Sequence, residues 1–169
     1  MEYSGLAAAP LFQTLTPNEV AELASVCEER CVAVGETLFK EGDAGDGLYV
    51  LQKGTVDILK SAPGGGPQRL ATLTAPSVLG EMSLLSNAGL RSATAWVREA
   101  VTLVLLPSSR FHPLLKAGNL AAYKLTTEMA KVMAQRLSEV DEQLVRLLAH
   151  EKRGEELAQF QKVLARWSF

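Results

Sequence analysis

The chain has 169 residues, enough for one domain with an extension but short for two full domains. Hydrophobic residues make up 47% and charged residues 21%, with a formal net charge of -2, so a sizeable core can form and no basic footprint for nucleic acid is visible. No apolar run reaches the roughly 20 residues that span a bilayer, and Met1–Pro10 lacks the basic start of a secretory signal, so a cytoplasmic protein away from membranes is expected.

The first element signalled is a helix over residues 16–30. Thr16 is an N-cap, Pro17 fits the first helical position, and Glu19 stands three residues after the cap. Val20, Leu23, Ala24 and Cys27 then form an apolar stripe. Cys27 and Cys31 would share a face of that helix. With no matching Cys or His pair elsewhere, they read as packing or surface thiols.

From Val32 to Pro107 short apolar runs alternate with Gly, Asp and Pro clusters. Val32–Val34 ends at Gly35-Glu36, Leu38–Phe39 runs into Glu41-Gly42-Asp43 and Leu48–Leu51 stops at Lys53-Gly54; Val56–Leu59, Leu70–Leu73, Ala95–Val97 and Val101–Leu106 complete the set, and Gly64-Gly65-Gly66-Pro67 marks a loop tip. Short strands so closely spaced predict a β-barrel or jelly roll of about eight strands. From Leu114 the texture is helical. Met133, Leu137, Val140, Leu144 and Leu147 recur at spacings of four and three, the a/d seam of a coiled coil. The alternative is a helix laying one apolar face on its own barrel. Gly154 breaks the register, and Leu157, Phe160, Leu164 and Trp167 form a second stripe in another phase. The expected class is α+β, a barrel with an N-terminal helix and a long C-terminal helix or helix pair. Its expected boundaries are 1–31 for the helical entry, 32–110 for the barrel, 111–153 for the long helix and 154–169 for a further amphipathic helix.

The segment that carries chemistry runs from Leu79 to Ala95. Gly80 permits a close backbone approach, Glu81 heads a short helical turn, and Arg91 follows ten residues later with Ser92 beside it. If the segment folds back, Glu81 and Arg91 face one pocket. An arginine offers a planar fork suited to phosphate, and N–H groups at the start of a helix add donors. A carboxylate repels phosphate but accepts from a sugar hydroxyl. A ligand with one phosphate and one free ribose hydroxyl would use both. Taken alone, the two residues fit a surface ion pair better, since most Arg–carboxylate pairs are structural.

The stretch Gly80-Glu81-Met82-Ser83 through Arg91-Ser92-Ala93 resembles the phosphate-binding cassette of cyclic nucleotide-binding domains. Such domains occur in bacterial catabolite activator proteins, protein kinase A regulatory subunits and nucleotide-gated channels. The resemblance extends to Leu11-Phe12 with Leu15 and Glu19, to Gly35–Asp43, to Gly45-Asp46-Gly47-Leu48-Tyr49-Val50-Leu51 and to Lys53-Gly54-Thr55-Val56, covering about residues 10–150. It implies that Arg91 takes the cyclic phosphate with backbone N–H groups of Gly80 and Ser83. Glu81 takes the ribose 2′-hydroxyl, and Ser92 touches phosphate or base. The full expected ligand-binding set is Gly80, Glu81, Met82, Ser83, Arg91, Ser92, Ala93, Leu70, Leu73, Val140 and Asp141.

This chain departs from the family at Leu79, where an aromatic or Ile is usual, and at Ala75-Pro76-Ser77, where Gly-Asp is common. Aligned without gaps to catabolite activator proteins, the two adenine-contacting hydroxyl positions of the long helix fall on Val140 and Asp141. An acceptor at Asp141 with the hydroxyl of Ser92 leans toward cGMP, whereas bacterial prevalence favours cAMP; the choice stays open. Residues 153–169 are too few for a helix-turn-helix domain, and Lys and Arg are nearly matched by Asp and Glu from Leu120 on, so DNA is not an expected partner. His112 and His150 stand isolated, no P-loop or dinucleotide pattern is present, and no enzyme, cofactor or metal is expected. The leading expectation is a cyclic-nucleotide sensor that moves its C-terminal helix. Its partner would be a second copy gripped through residues 120–150, or another protein on that helix. The rivals are a transcription regulator acting as a fragment or through a DNA-binding partner, and a nucleotide-blind scaffold.

Overall fold

The computed structural model describes residues 4–62, 64–85 and 89–151, with the side chains of 147–151 outside the description. At the N-terminal side α1 (Ser4–Ala7) and a 3-10 turn (Pro10–Phe12) lead into α2 (Pro17–Ala24). The local signals at Thr16 act as read. Its Oγ1 accepts from the Glu19 N–H and Glu19 Oε2 accepts from the Thr16 N–H at 2.8 Å, a reciprocal capping box behind Pro17. The helix stops at Ala24, six residues short of the expected end. Glu28–Val32 is instead the first strand, β1, so Cys27 and Cys31 do not share a helix face: Cys27 is buried in the connecting turn and Cys31 is exposed on the strand. Burial pushes the Cys27 thiol up to about 12, which keeps it protonated and inert.

The sheet has six strands among the described residues, all antiparallel: β1, β2 (Thr37–Phe39), β3 (Gly47–Ser61), β4 (Pro67–Thr74), β5 (Ser77–Leu79) and β6 (Thr94–Pro107). Their order is β1-β6-β3-β4, with β2 also on β6 and β5 also on β3. This is the expected α+β, jelly-roll-like class, built from fewer and longer strands than the eight short ones anticipated. The apolar runs Leu48–Leu51 and Val56–Leu59 are one strand, and so are Ala95–Val97 and Val101–Leu106. Between them the β3–β6 register shifts at Leu51/Lys53, Lys53/Thr55 and Thr55/Val56, so the ladder bends where a stop was expected. Gly54 sits in this bend at φ 86°, and a Cβ there would strike the Ala100 carbonyl.

Side chains from every sheet neighbour meet inside. Tyr49, Leu51, Val56, Leu79, Ala95, Val97, Val101, Leu103 and Leu105 form the buried core, and Leu38, Phe39, Ile58 and Leu73 pack partly against it. Alternation along β3 and β6 supplies this interior face. Full burial of each large aliphatic side chain contributes about 1.5–3 kcal/mol.

After β6 the chain forms two helices where one was expected to begin at 111. These are α4 (Ser108–Lys116) and α5 (Leu120–Glu151), separated at Gly118, whose φ is 77°. Asn119 caps α5 through Oδ1 on the Ala122 N–H at 2.9 Å. The first turns of α5 are deeply buried at Ala121, Ala122, Leu125 and Met129, and Lys124 Nζ reaches Glu19 Oε1 at 2.6 Å. That hydrogen bond leads the contacts lowering the Glu19 carboxyl below its ordinary range.

Two compact units divide at Met129/Ala130. In the second, the helical seam residues are open: Leu137 is 44% and Val140 58% exposed, while Met133 and Leu144 are half-buried. The Leu147 side chain and the stripe expected after Gly154 lie outside the described residues. Among those described, no helix is long and apolar enough to cross a membrane.

Candidate functional site

Strand β5 ends at Leu79, and the chain then turns through Gly80 at φ 90° into α3 (Glu81–Leu85). A side chain at Gly80 would collide with the Arg91 guanidinium and the Gly47 carbonyl, so glycine is required by both the backbone angle and the space. Glu81, the first residue of α3, is buried at 4% exposure and Ser83 at 6%.

Arg91 is the centre of the site. It is 3% exposed, and a buried guanidinium is costly unless its donors are met. Nη1 donates to Ser83 Oγ at 2.9 Å and to the Gly80 carbonyl at 3.3 Å. Nη2 donates to the Gly47 carbonyl at 3.0 Å and to Asp46 Oδ1, with which it forms an ion pair. Phe39 and Tyr49 flank the guanidinium carbon, their ring centroids 4.1 Å and 5.1 Å away, both in cation–π range. Nε is buried and meets no acceptor among the described residues. The guanidinium is therefore fixed by its two terminal nitrogens, with one donor still open.

Asp46 has further ties. Tyr49 donates its hydroxyl to Asp46 Oδ2 at 2.7 Å, and Arg30 lies 3.8 Å from the same oxygen. Burial, then the bond to Asp46, pushes the Tyr49 hydroxyl up to about 12, so it remains a donor through the neutral range. The main chain of Arg91 is held by the loop before β3: its N–H donates to the Asp43 carbonyl at 2.8 Å, and its carbonyl accepts from the Gly42 N–H at 2.9 Å.

The structure thus brings Gly80, Ser83 and Arg91 into direct contact, with Glu81 next in line. Met82 and Ser92 lie at the exposed margin, their Sδ and Oγ 3.5 Å apart, and Ala93 is buried behind them. On β4, Leu73 faces the interior. Leu70 falls where the β3–β4 register slips and is 62% exposed. Val140 and the half-buried Asp141 belong to the second unit. Sequence reasoning missed the roles of Asp46, Phe39 and Tyr49 around Arg91. The signal available was Asp46 itself, an acid between two glycines in a turn whose neighbours are all small.

The chain matches a known family. The family model for the cyclic nucleotide-binding domain matches residues 29–117, just over half of the chain. The cyclic AMP receptor protein of Thermus thermophilus is 35% identical over 146 residues, covering 86% of this chain and 65% of that protein. The chain thus spans less than two thirds of this curated relative. Among solved structures, the catabolite activator protein of Thermus thermophilus is similar at TM-score 0.73 and 33% identity, covering 95% of this chain and 73% of the other. The regulatory domain of Toxoplasma gondii PKA, crystallised with cAMP, is similar at TM-score 0.60 and 26% identity, covering 66% of this chain and 42% of that one. The chain belongs to the cyclic nucleotide-binding domain family.

Proposed function

We propose that the barrel binds a cyclic nucleoside monophosphate and acts as a sensor. The observation that carries this reading is the buried Arg91 guanidinium, oriented by Asp46, Gly47, Ser83 and Gly80, whose buried Nε–H meets no acceptor among the described residues. The phosphate is held by Arg91 together with backbone N–H groups at Gly80 and the start of α3, where the helix end favours an anion. Glu81 accepts from the ribose 2′-hydroxyl. Met82, Ser92, Ala93, Leu70 and Leu73 line the route to the base, and the Ser92 hydroxyl bears on the choice between cAMP and cGMP. Binding biases a two-state equilibrium of the C-terminal helix. The output is a second copy gripped through residues 120–150 or a protein partner on that helix. No step in this reading makes or breaks a covalent bond.

Calorimetric titration with cAMP and with cGMP tests it. Saturable binding of either, abolished in Arg91→Ala, is the expected result. Absence of binding to both in the folded wild type contradicts it. A second reading, a nucleotide-blind scaffold, draws on the same contacts, since protein acceptors already meet both terminal nitrogens of Arg91. Melting temperatures unmoved by saturating nucleotide favour the scaffold, because a ligand of the folded state raises them.

A further inference from the structure

The loop from Glu41 to Asp46 runs beneath residues 89–92. It holds the Arg91 main chain through Gly42 and Asp43, and Ala44 bridges Leu90. At one end Asp46 meets the guanidinium. At the other, Glu41 donates its N–H to Thr94 Oγ1 at 3.0 Å and accepts the Ser61 N–H on Oε2 at 3.0 Å. Lys60 closes this end: its ammonium lies 2.8 Å from Glu41 Oε1 and donates to the Ser92 carbonyl at 2.6 Å. One cation therefore ties the start of the supporting loop to the residue that follows Arg91.

The tie has little to offer the fold. Lys60 is 45% and Glu41 29% exposed at the side chain, and exposed ion pairs contribute little to stability. It does constrain geometry. A charge-assisted bond to the Ser92 carbonyl fixes the peptide plane between Ser92 and Ala93. That in turn limits where the exposed Ser92 hydroxyl stands relative to Arg91.

We propose that Lys60 is a positioning residue of the nucleotide site, acting through Ser92 to hold its hydroxyl toward the ligand. This rests on the nucleotide reading above and adds to it a determinant of affinity and base preference that does not itself touch the ligand. Glu41 holds Lys60 in place. Removing the ammonium leaves Arg91 anchored by Asp46, Gly47, Ser83 and Gly80, so binding weakens without being lost.

The test is a double-mutant cycle on the full chain, with dissociation constants for cAMP and cGMP measured on wild type, Lys60→Met, Lys60→Arg, Ser92→Ala and Lys60→Met/Ser92→Ala. Lys60→Met is expected to weaken the preferred nucleotide by about threefold to tenfold and to change the cAMP-to-cGMP ratio. Lys60→Arg restores most of the loss, and the unliganded melting temperature barely moves. In the Ser92→Ala background Lys60→Met has no further effect. Lys60→Met binding as tightly as wild type overturns the proposal, as does a penalty that persists undiminished without the Ser92 hydroxyl. Both outcomes leave the nucleotide reading standing. A wild type that binds neither nucleotide removes that reading and this one together.

Discussion

The inside of the barrel and its Arg91 end are built on opposite terms. Apart from Tyr49 and Phe39, which also face Arg91, the interior is a cluster of aliphatic side chains, including Leu51, Val56, Leu103 and Leu105, whose attraction is non-directional and scales with area removed from water. The Arg91 end buries a full charge and satisfies its two terminal nitrogens with named acceptors. Volume is what the first region needs, and geometry is what the second needs. Substitutions in the core should therefore cost stability while sparing the chemistry of the site. Substitutions around Arg91 should cost ligand affinity out of proportion to stability.

The largest expected effect on stability comes from Leu103→Ala in the core. It removes a fully buried side chain and should destabilise by about 2–5 kcal/mol in denaturant unfolding, with the folded fraction still binding nucleotide. Asp46→Asn comes next. It keeps the shape but removes the charge paired with Arg91, and should lower stability by about 1–2 kcal/mol and weaken nucleotide binding several-fold. Equal stability with unchanged affinity would erase the distinction between the two regions. Tyr49→Phe is milder still: the ring face over Arg91 stays and only the bond to Asp46 goes, so about 1 kcal/mol is expected.

The smallest effect is one of pH. The Lys60 hydrogen bond, then that from the Ser61 N–H, holds the Glu41 carboxyl at about 2 against an ordinary value of 4.5. A lowered folded-state value means the contribution is present above 4.5 and is lost as pH falls toward 2. Because the pair is exposed, Glu41→Gln should differ only slightly from wild type in thermal unfolding at neutral pH and converge with it as acid is added.

What could be read from the sequence followed the same division. The capping box at Thr16, Pro17 and Glu19 is local, and local signals survive in the fold. That Gly80, Ser83 and Arg91 lie close together was legible from spacing and resemblance, but Gly80 and Ser83 were expected as N–H donors to a phosphate, not as acceptors for Arg91 through the Gly80 carbonyl and Ser83 Oγ. Strand ends were not, because Lys53-Gly54 carries a turn signal whose actual role is to bend a continuous ladder, and Arg98–Ala100 interrupts the apolar run without ending the strand. β1 was hidden because its residues Glu28–Val32 are largely exposed and lack an alternating apolar pattern. Asp46 reads as a turn residue. Only the register of β3 against the cassette brings its carboxylate to a residue 45 positions away. Long-range polar contacts leave no periodicity to detect, and the site depends on them more than the core does.

The most direct measurement is a calorimetric titration of wild type and Arg91→Lys with cAMP and cGMP under identical conditions. Lysine keeps the positive charge but lacks the planar fork, the stack on Phe39 and Tyr49 and the fixed set of donors. Saturable binding by wild type and a loss of at least about tenfold in Arg91→Lys are expected. Equal affinity in the two proteins would show that charge alone suffices, contradicting the claim that the geometry around Arg91 makes the site.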